Sequence, residues 1–351
     1  MTTNALSNRA TATINARPTA KGGVPFTGLL RRPEAGALLG LIGVIAFFSV
    51  FGSIKFLGLA GAASWLNVAA NLGIIAIPVG LLMIAGELDI SVGAMIPAGS
   101  MTVAIISGHY GLPIWIGVVA SLALGLVVGV VNGFLVARTA VPSLIVTLGT
   151  LFAMQGIVLG CSVFITGTTS VALTADPVSK FLFGQFIGGT FQNIIVWWFG
   201  LTVLYIFFVH FSRYGNWIFA MGGDKVSARN AGIPTEKLTI TLFVLSSTSA
   251  AFVGMCQAIL FNSAQVSAGM TYIFNSIISV VVGGVLLTGG FGSIIGIFLG
   301  TITFAIVNQG IYFTDFDRNW SSLIIGVMLL LAVLMNNTFR KMALTYSAKK
   351  K

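Results

Sequence analysis

Residues 114–137 run for 24 positions without one charged side chain, and that run restricts the folds open to the chain more than any other feature. It is long enough to cross the roughly 30 Å hydrocarbon core of a bilayer as a helix, which takes about 20 apolar residues. In lipid every backbone donor and acceptor must be satisfied within the chain, so only helices or a closed barrel can span. Barrel strands alternate apolar and polar residues over about ten positions, and residues 114–137 show no such alternation. Comparable runs recur along the chain, 56% of the residues are hydrophobic and only 7% are charged, against about 25% in a soluble domain. A water-soluble fold is excluded, and an all-α polytopic membrane protein is expected.

Ten spans are expected, near residues 36–54, 64–86, 90–107, 112–137, 143–166, 193–211, 238–261, 273–288, 291–310 and 320–337. They form one transmembrane domain over residues 36–337, flanked by a polar tail at 1–35 and a basic tail at 338–351. The small residues Ala60, Gly61 and Ala62 after the first run faintly resemble a signal-peptidase site. A signal peptide has a shorter apolar core and no such leader, so an uncleaved first span is expected. Only Glu87, Leu88 and Asp89 separate spans two and three, and only Gly289 and Gly290 separate eight and nine. Each pair must be a tight hairpin or a broken helix.

Ten spans put both ends on one side. With that side cytoplasmic, fifteen of the eighteen Lys and Arg residues face inward and only Lys55, Lys180 and Arg318 face outward, which satisfies the positive-inside rule. The net charge of +10 is thus a matter of topology. It forms no basic patch on a soluble surface, and nucleic acid is not an expected partner. Cys161 and Cys256 each lie within an apolar span and read as small apolar side chains. His109 and His210 fall on opposite sides of the membrane, so neither a metal pair nor a nucleophile and base pair is expected. No metal or other cofactor is implied. The phosphate-binding pattern G-x-x-x-x-G-K-[ST] is missing from the chain, so any energy input must come from another chain or from an ion gradient.

Three groups of residues carry the functional expectations. In GELDISVG, residues 86–93, Glu87 and Asp89 are ionisable groups at the membrane, a costly placement that points to function. Asp89 and Ser91 precede an apolar run, where capping and shaping of the hairpin is favoured over contact with solute, and Glu87 is left for gating or subunit contact. The second group is the loop at residues 212–237. Gly222 and Gly223 read as a flexible entry after Met221, Asp224 as an N-cap, residues 225–231 through Ala228 and Ala231 as a short helix, Gly232 as its left-handed terminator and Pro234 as a stop. A helix of two turns needs a surface to lie on, either a soluble partner or its own membrane domain and the lipid headgroups. The third group is the set of amides and hydroxyls within spans: Asn71, Asn132, Thr147, Gln155, Gln257, Asn275 and Asn308. They could line a path for a polyhydroxylated solute, although each alone also serves as interhelical glue.

Valine and asparagine at 131–132 recur at 307–308, and the Ser-Leu-Ile of 143–145 recurs at 322–324. In the expected topology such halves, about 64–166 and 238–337, would form an inverted repeat, a common transporter plan. The matches are few and gapped, and chance similarity between small-residue helices is the favoured reading of them.

Residues 86–93, VVNGFLVARTAVPSLIVTLGT at 130–150, FAMGGDKVSARNAGI at 219–233 and VVVGGVLLTGGFGSIIGIFLGT at 280–301 together resemble the carbohydrate uptake type 2 permeases of ABC importers, the group of the ribose, xylose, arabinose and galactose permeases. The resemblance implies a ten-span type II importer fold like that of the vitamin B12 permease, with related halves. It implies a permease dimer joined to a double-cassette ATPase and fed by a periplasmic sugar-binding protein, in the bacterial inner membrane. The 224–231 helix would be the coupling helix on the ATPase. The chain departs from the family at 272–279, YIFNSIIS, where an acidic, alanine-rich stretch is usual. An ion-coupled carrier is the alternative from another class, but it would want carboxylates at mid-membrane. A membrane-embedded enzyme would want a convergent acid, base or metal cluster that the sequence lacks.

Overall fold

The computed structural model describes residues 33–315, 317–320, 322–324, 326–327, 329–331 and 334. Residues 1–32 of the expected leader and the basic tail at 338–351 lie outside the described residues. The tenth expected span is described only in part, as helical residues between 322 and 334. Among the described residues, eight helical stretches are long and apolar enough to cross a membrane.

The principal helices are α1 (Pro33–Phe51), α2 (Leu59–Ile84), α3 (Val92–Val103), α4 (Ile114–Arg138), α5 (Ser143–Thr166), α6 (Ile194–Phe211), α7 (Arg213–Gly223), α8 (Lys225–Asn230), α9 (Thr235–Phe261), α10 (Thr271–Val282) and α11 (Ile294–Gly310). One π-helical stretch, Ala104–His109, carries α3 onward, and two short helices, Ile54–Leu57 and Pro177–Phe183, lie in connections. Local sequence sets several ends. Proline stands immediately before α4, α5 and α9, where its missing N–H costs nothing. Ser293 caps α11 by accepting from the Gly296 N–H at 2.9 Å, and Gly167 ends α5 with φ +74°.

Lipid is as apolar as leucine, so helices associate through close packing and polar contacts and not through the hydrophobic effect. The tightest seam joins α4 to α9. Gly125, Gly129 and Gly133 recur every four residues along one face of α4, and Cβ atoms there would collide with the α9 backbone at Thr248, Val244 and Ile240. α2 runs through the centre with most of its side chains buried, whereas α5 and α6 are largely exposed and peripheral.

Span eight is corrected by the structure. Residues 273–288 were expected to cross, yet α10 has 12 residues, or about 18 Å of helix, because Gly283 and Gly284 end it. α10 begins 179 residues after α3, which also has 12 residues, and each follows an irregular stretch, 85–91 before α3 and 266–270 before α10. The helices preceding these stretches, α2 and α9, have 26 and 27 residues and begin 176 residues apart.

Four short strands lie at one end of the bundle: β1 (Ser170–Ala172), β2 (Phe186–Ile187), β3 (Phe191–Gln192) and β4 (Ser263–Gln265). β1 pairs antiparallel with β4, Val171 opposite Ala264, and β2 pairs with β3 as a hairpin. The opposite end carries α7, α8 and the turns at residues 85–91 and 283–293.

Candidate functional site

At the α8 end three glycine turns converge. The Gly290 N–H donates to the Ile84 carbonyl at 2.8 Å, joining the turn between α10 and α11 to the exit of α2. Gly222 of α7 lies directly on this junction, where a Cβ would strike the Ile84 oxygen and the Gly290 nitrogen. Gly290 itself has φ +72°, a left-handed conformation that favours glycine. The expected flexible entry at Gly222 and Gly223 is therefore corrected: both residues end the regular helix α7. Gly215, Ile218 and Met221 form the buried face of that helix, and the Thr239 hydroxyl of α9 donates to Met221 Sδ at 3.8 Å. Their spacing of three residues was the signal in the sequence, hidden by three glycines with poor helix propensity.

α8 follows after one extended residue, Asp224. Asp224 accepts from the Ser227 N–H at 2.5 Å, and that backbone hydrogen bond holds its carboxyl below the usual carboxylate range. Gly232 takes φ +84° and the Ile233 N–H returns to the Ala228 carbonyl at 3.1 Å, a left-handed helix end. Ala228 is buried, while Val226, Ser227, Arg229, Asn230 and Ala231 are exposed. Lys225 Nζ lies 2.5 Å from Glu87 Oε1, tying α8 to the turn after α2. At the same end Arg138 pairs with Glu236 at 3.2 Å.

Two residues beyond Glu87 the chain enters a buried polar network. Asp89 Oδ1 accepts from the Ser91 N–H at 2.9 Å and from the Ser91 hydroxyl at 2.6 Å. Asp89 Oδ2 makes no standard hydrogen bond, and Ser246 of α9 lies beside the carboxyl. Ser91 was expected to cap span three with its own hydroxyl. It makes no capping bond, because that hydroxyl is committed to Asp89 and accepts from Asn132 Nδ2 at 3.0 Å. Asn132 Oδ1 in turn accepts from Thr150 at 2.5 Å. The backbone N–H groups of Leu88 and Ile90 find the hydroxyls of Ser143 at 3.1 Å and Thr147 at 3.4 Å. Asp89, Ser91, Asn132 and Thr147 are thus brought together, and their hydrogen-bonding capacity serves the irregular stretch before α3.

Asn71 and Gln257 belong to a second network, toward the strand end. Asn71 Nδ2 donates to Gln192 Oε1 at 2.7 Å. Gln257 Nε2 donates to Asn71 Oδ1 at 3.2 Å and to the Tyr272 hydroxyl at 2.8 Å. Asn67 holds the same hairpin, accepting from the Gln192 N–H at 2.8 Å and donating to the Thr190 carbonyl at 3.0 Å. Gln192, Asn67 and Tyr272 were not singled out in the sequence, since nothing local marks a loop side chain that folds back onto a span. Asn308 accepts from its neighbour Gln309 at 2.8 Å, which meets Ser64 of α2. Gln155 and Asn275 stand apart from both networks. Both are half-buried, and Gln155 Nε2 donates to Met270 Sδ at 2.6 Å.

Apolar spans, broken helices at membrane depth and polar networks between them define a multi-pass α-helical membrane transport protein. The chain belongs to the family described as the branched-chain amino acid transport system permease component, whose model matches residues 61–333. It is 30% identical to the fructose import permease of Rhizobium meliloti over 89% of this chain and 87% of that protein. It is 29% identical to the ribose import permease of Escherichia coli (strain K12), over 87% of this chain and 94% of that one. A xylose/arabinose import permease from Sulfolobus acidocaldarius is 29% identical, with 82% of each chain covered. No solved structure gives a significant match.

Proposed function

We propose that this chain is the permease subunit of an ATP-binding-cassette importer carrying a monosaccharide or related polyol across a bacterial inner membrane. The observation that carries the reading is the α7–α8 segment. A helix of six residues cannot hold its shape alone. Here it is capped by Asp224, anchored by Ala228 and by the Lys225–Glu87 pair, and leaves Val226, Ser227, Arg229 and Asn230 facing outward. An outward face on a braced helix is what a separate motor subunit needs. The relatives are named as import permeases for fructose, ribose and xylose/arabinose, which supports the sugar class.

In this reading the α8 end is cytoplasmic, both termini lie on that side, and ATP is hydrolysed by a separate double-cassette subunit. A periplasmic sugar-binding protein delivers solute to the strand end. Two copies of the chain form the translocating unit, and the row of open glycines Gly149, Gly156 and Gly160 on α5, with no atom where their Cβ atoms would point, supplies a surface for close approach. The matched lengths of α2 with α9 and of α3 with α10 support an inverted repeat of two halves.

Reconstitution tests the reading. Vesicles holding the chain with its ATPase and binding protein should take up ribose, xylose or fructose only with ATP, and ionophores should leave the rate unchanged. Uptake that needs no ATP and collapses with the proton or sodium gradient would establish an ion-coupled carrier instead.

A further inference from the structure

The chain between β4 and α10 has no regular structure, yet it lies deep in the bundle. Two contacts fix its depth. Met270 receives the Gln155 amide, and Gln155 is the thirteenth residue of the 24-residue α5. Gly269 lies against the second residue of α3, where a Cβ would overlap the Gly93 oxygen. α10 supplies about 18 Å of a core about 30 Å thick, and residues 266–270 cross the rest.

Irregular backbone at this depth is tolerated only where protein encloses it or water reaches it. The matching stretch before α3 is enclosed: Glu87, Asp89 and Ser91 are buried, and the N–H groups of Leu88, Ile90 and Ser91 are taken up by Ser143, Thr147 and Asp89. The stretch before α10 is open. Gln265, Ser267, Ala268, Met270 and Thr271 are exposed, and Asn275, one turn beyond Thr271, is half-buried. Acyl chains cannot cover such a surface, so it faces water or a second protein surface.

We propose that Gln155, Ser267, Thr271 and Asn275 line the water-filled path of the solute. The inference rests on the permease reading above and adds to it the location and chemistry of the path. Hydroxyls and amides on and beside a broken helix can exchange hydrogen bonds with a sugar as it leaves bulk water, and Gln155 is held by the weak thioether acceptor of Met270. Asn71, Asn132, Thr147 and Gln257, by contrast, are committed to oxygen or nitrogen partners. In the proposed dimer, two copies presenting this face to each other enclose the route.

Cysteine accessibility tests the assignment. In a Cys161→Ser, Cys256→Ala background reconstituted with its partners, single variants Ser267→Cys, Thr271→Cys and Asn275→Cys are exposed to a membrane-impermeant, cationic thiol reagent. They should react at least tenfold faster than Val203→Cys, at mid-depth on the exposed face of α6, and reaction should block uptake. Ribose, xylose and fructose are added in turn, and the transported sugar should slow labelling severalfold. Labelling no faster than at Val203→Cys, or unchanged by a sugar that the background protein transports, overturns the path. Ser267→Cys is nearly isosteric and carries the test alone if the other variants misassemble. A background protein that transports none of the sugars counts against the permease reading. Slow labelling would still overturn the path in that case, and fast labelling would still show the face to be wet.

Discussion

Lys225 reaches back from the first residue of α8 to Glu87 at the exit of α2, with 2.5 Å between Nζ and Oε1. Glu87 is almost fully buried and Lys225 partly so, so the pair is shielded more than a surface ion pair, whose net worth is about 0–1 kcal/mol. Removing one partner leaves a charge near apolar surroundings. Glu87→Gln and Lys225→Met should each reduce solute-stimulated ATPase activity severalfold while the permease still assembles. The reciprocal swap Glu87→Lys with Lys225→Glu should recover more than half of it. ATPase assays on the reconstituted complex check this, and full activity in both single variants would show that the pair transmits nothing.

Adjacent glycines on α7 should behave very differently. A Cβ at Gly222 would strike the Ile84 oxygen and the Gly290 nitrogen, whereas Gly223 has open space around it. Gly222→Ala should separate α7 from the turn after α2 and abolish coupling, and Gly223→Ala should be tolerated. ATPase stimulation and thermal unfolding of the reconstituted complex read the two cases.

Asn132 is fully buried and links Ser91 to Thr150. Asn132→Leu strands hydroxyl partners in a dry interior, at a cost of about 1–3 kcal/mol. The apparent melting temperature of the purified permease should fall measurably, and Asn132→Ala should add a cavity to the loss. Thermal unfolding in lipid nanodiscs measures both.

Acidification should loosen α8 through its cap. The Ser227 backbone hydrogen bond holds the Asp224 carboxyl below its ordinary value, so the folded form binds the proton less readily than the unfolded form. The cap's contribution is therefore complete above the unfolded carboxylate value of about 4 and is lost as pH falls through the folded value. Hydrogen exchange of residues 225–230, corrected for intrinsic rate, should be flat between pH 6 and pH 8. It should rise in more acidic solution, and Asp224→Ala should remove that acid dependence.

Much of the architecture was legible in the sequence because lipid enforces simple rules. The bounds expected for α5 match those observed, α4 differs by two residues at its start and one at its end, and α6 by one at its start, since proline or asparagine marks where each begins. Span eight was misread because apolar residues continue past Gly283 to Leu287, and hydropathy does not reveal that the glycine pair has already turned the chain. α7 was missed because its glycines, which permit contact with Ile84 and Gly290, are poor helix formers. Among the candidate polar residues, the chemical types were visible but their partners were not. Asn71 meets a loop residue 121 positions away, and no local pattern encodes that meeting.

The antiparallel pairing of β1 with β4 has a mechanical consequence. It stitches the segment after α5 to the segment after α9, Ser170 to Gln265 and Ala172 to Ser263, so the loops that follow these two helices are fastened to each other. These two segments therefore move together at the strand rim, while the Gly290–Ile84 hydrogen bond and the Arg138–Glu236 pair hold the opposite rim.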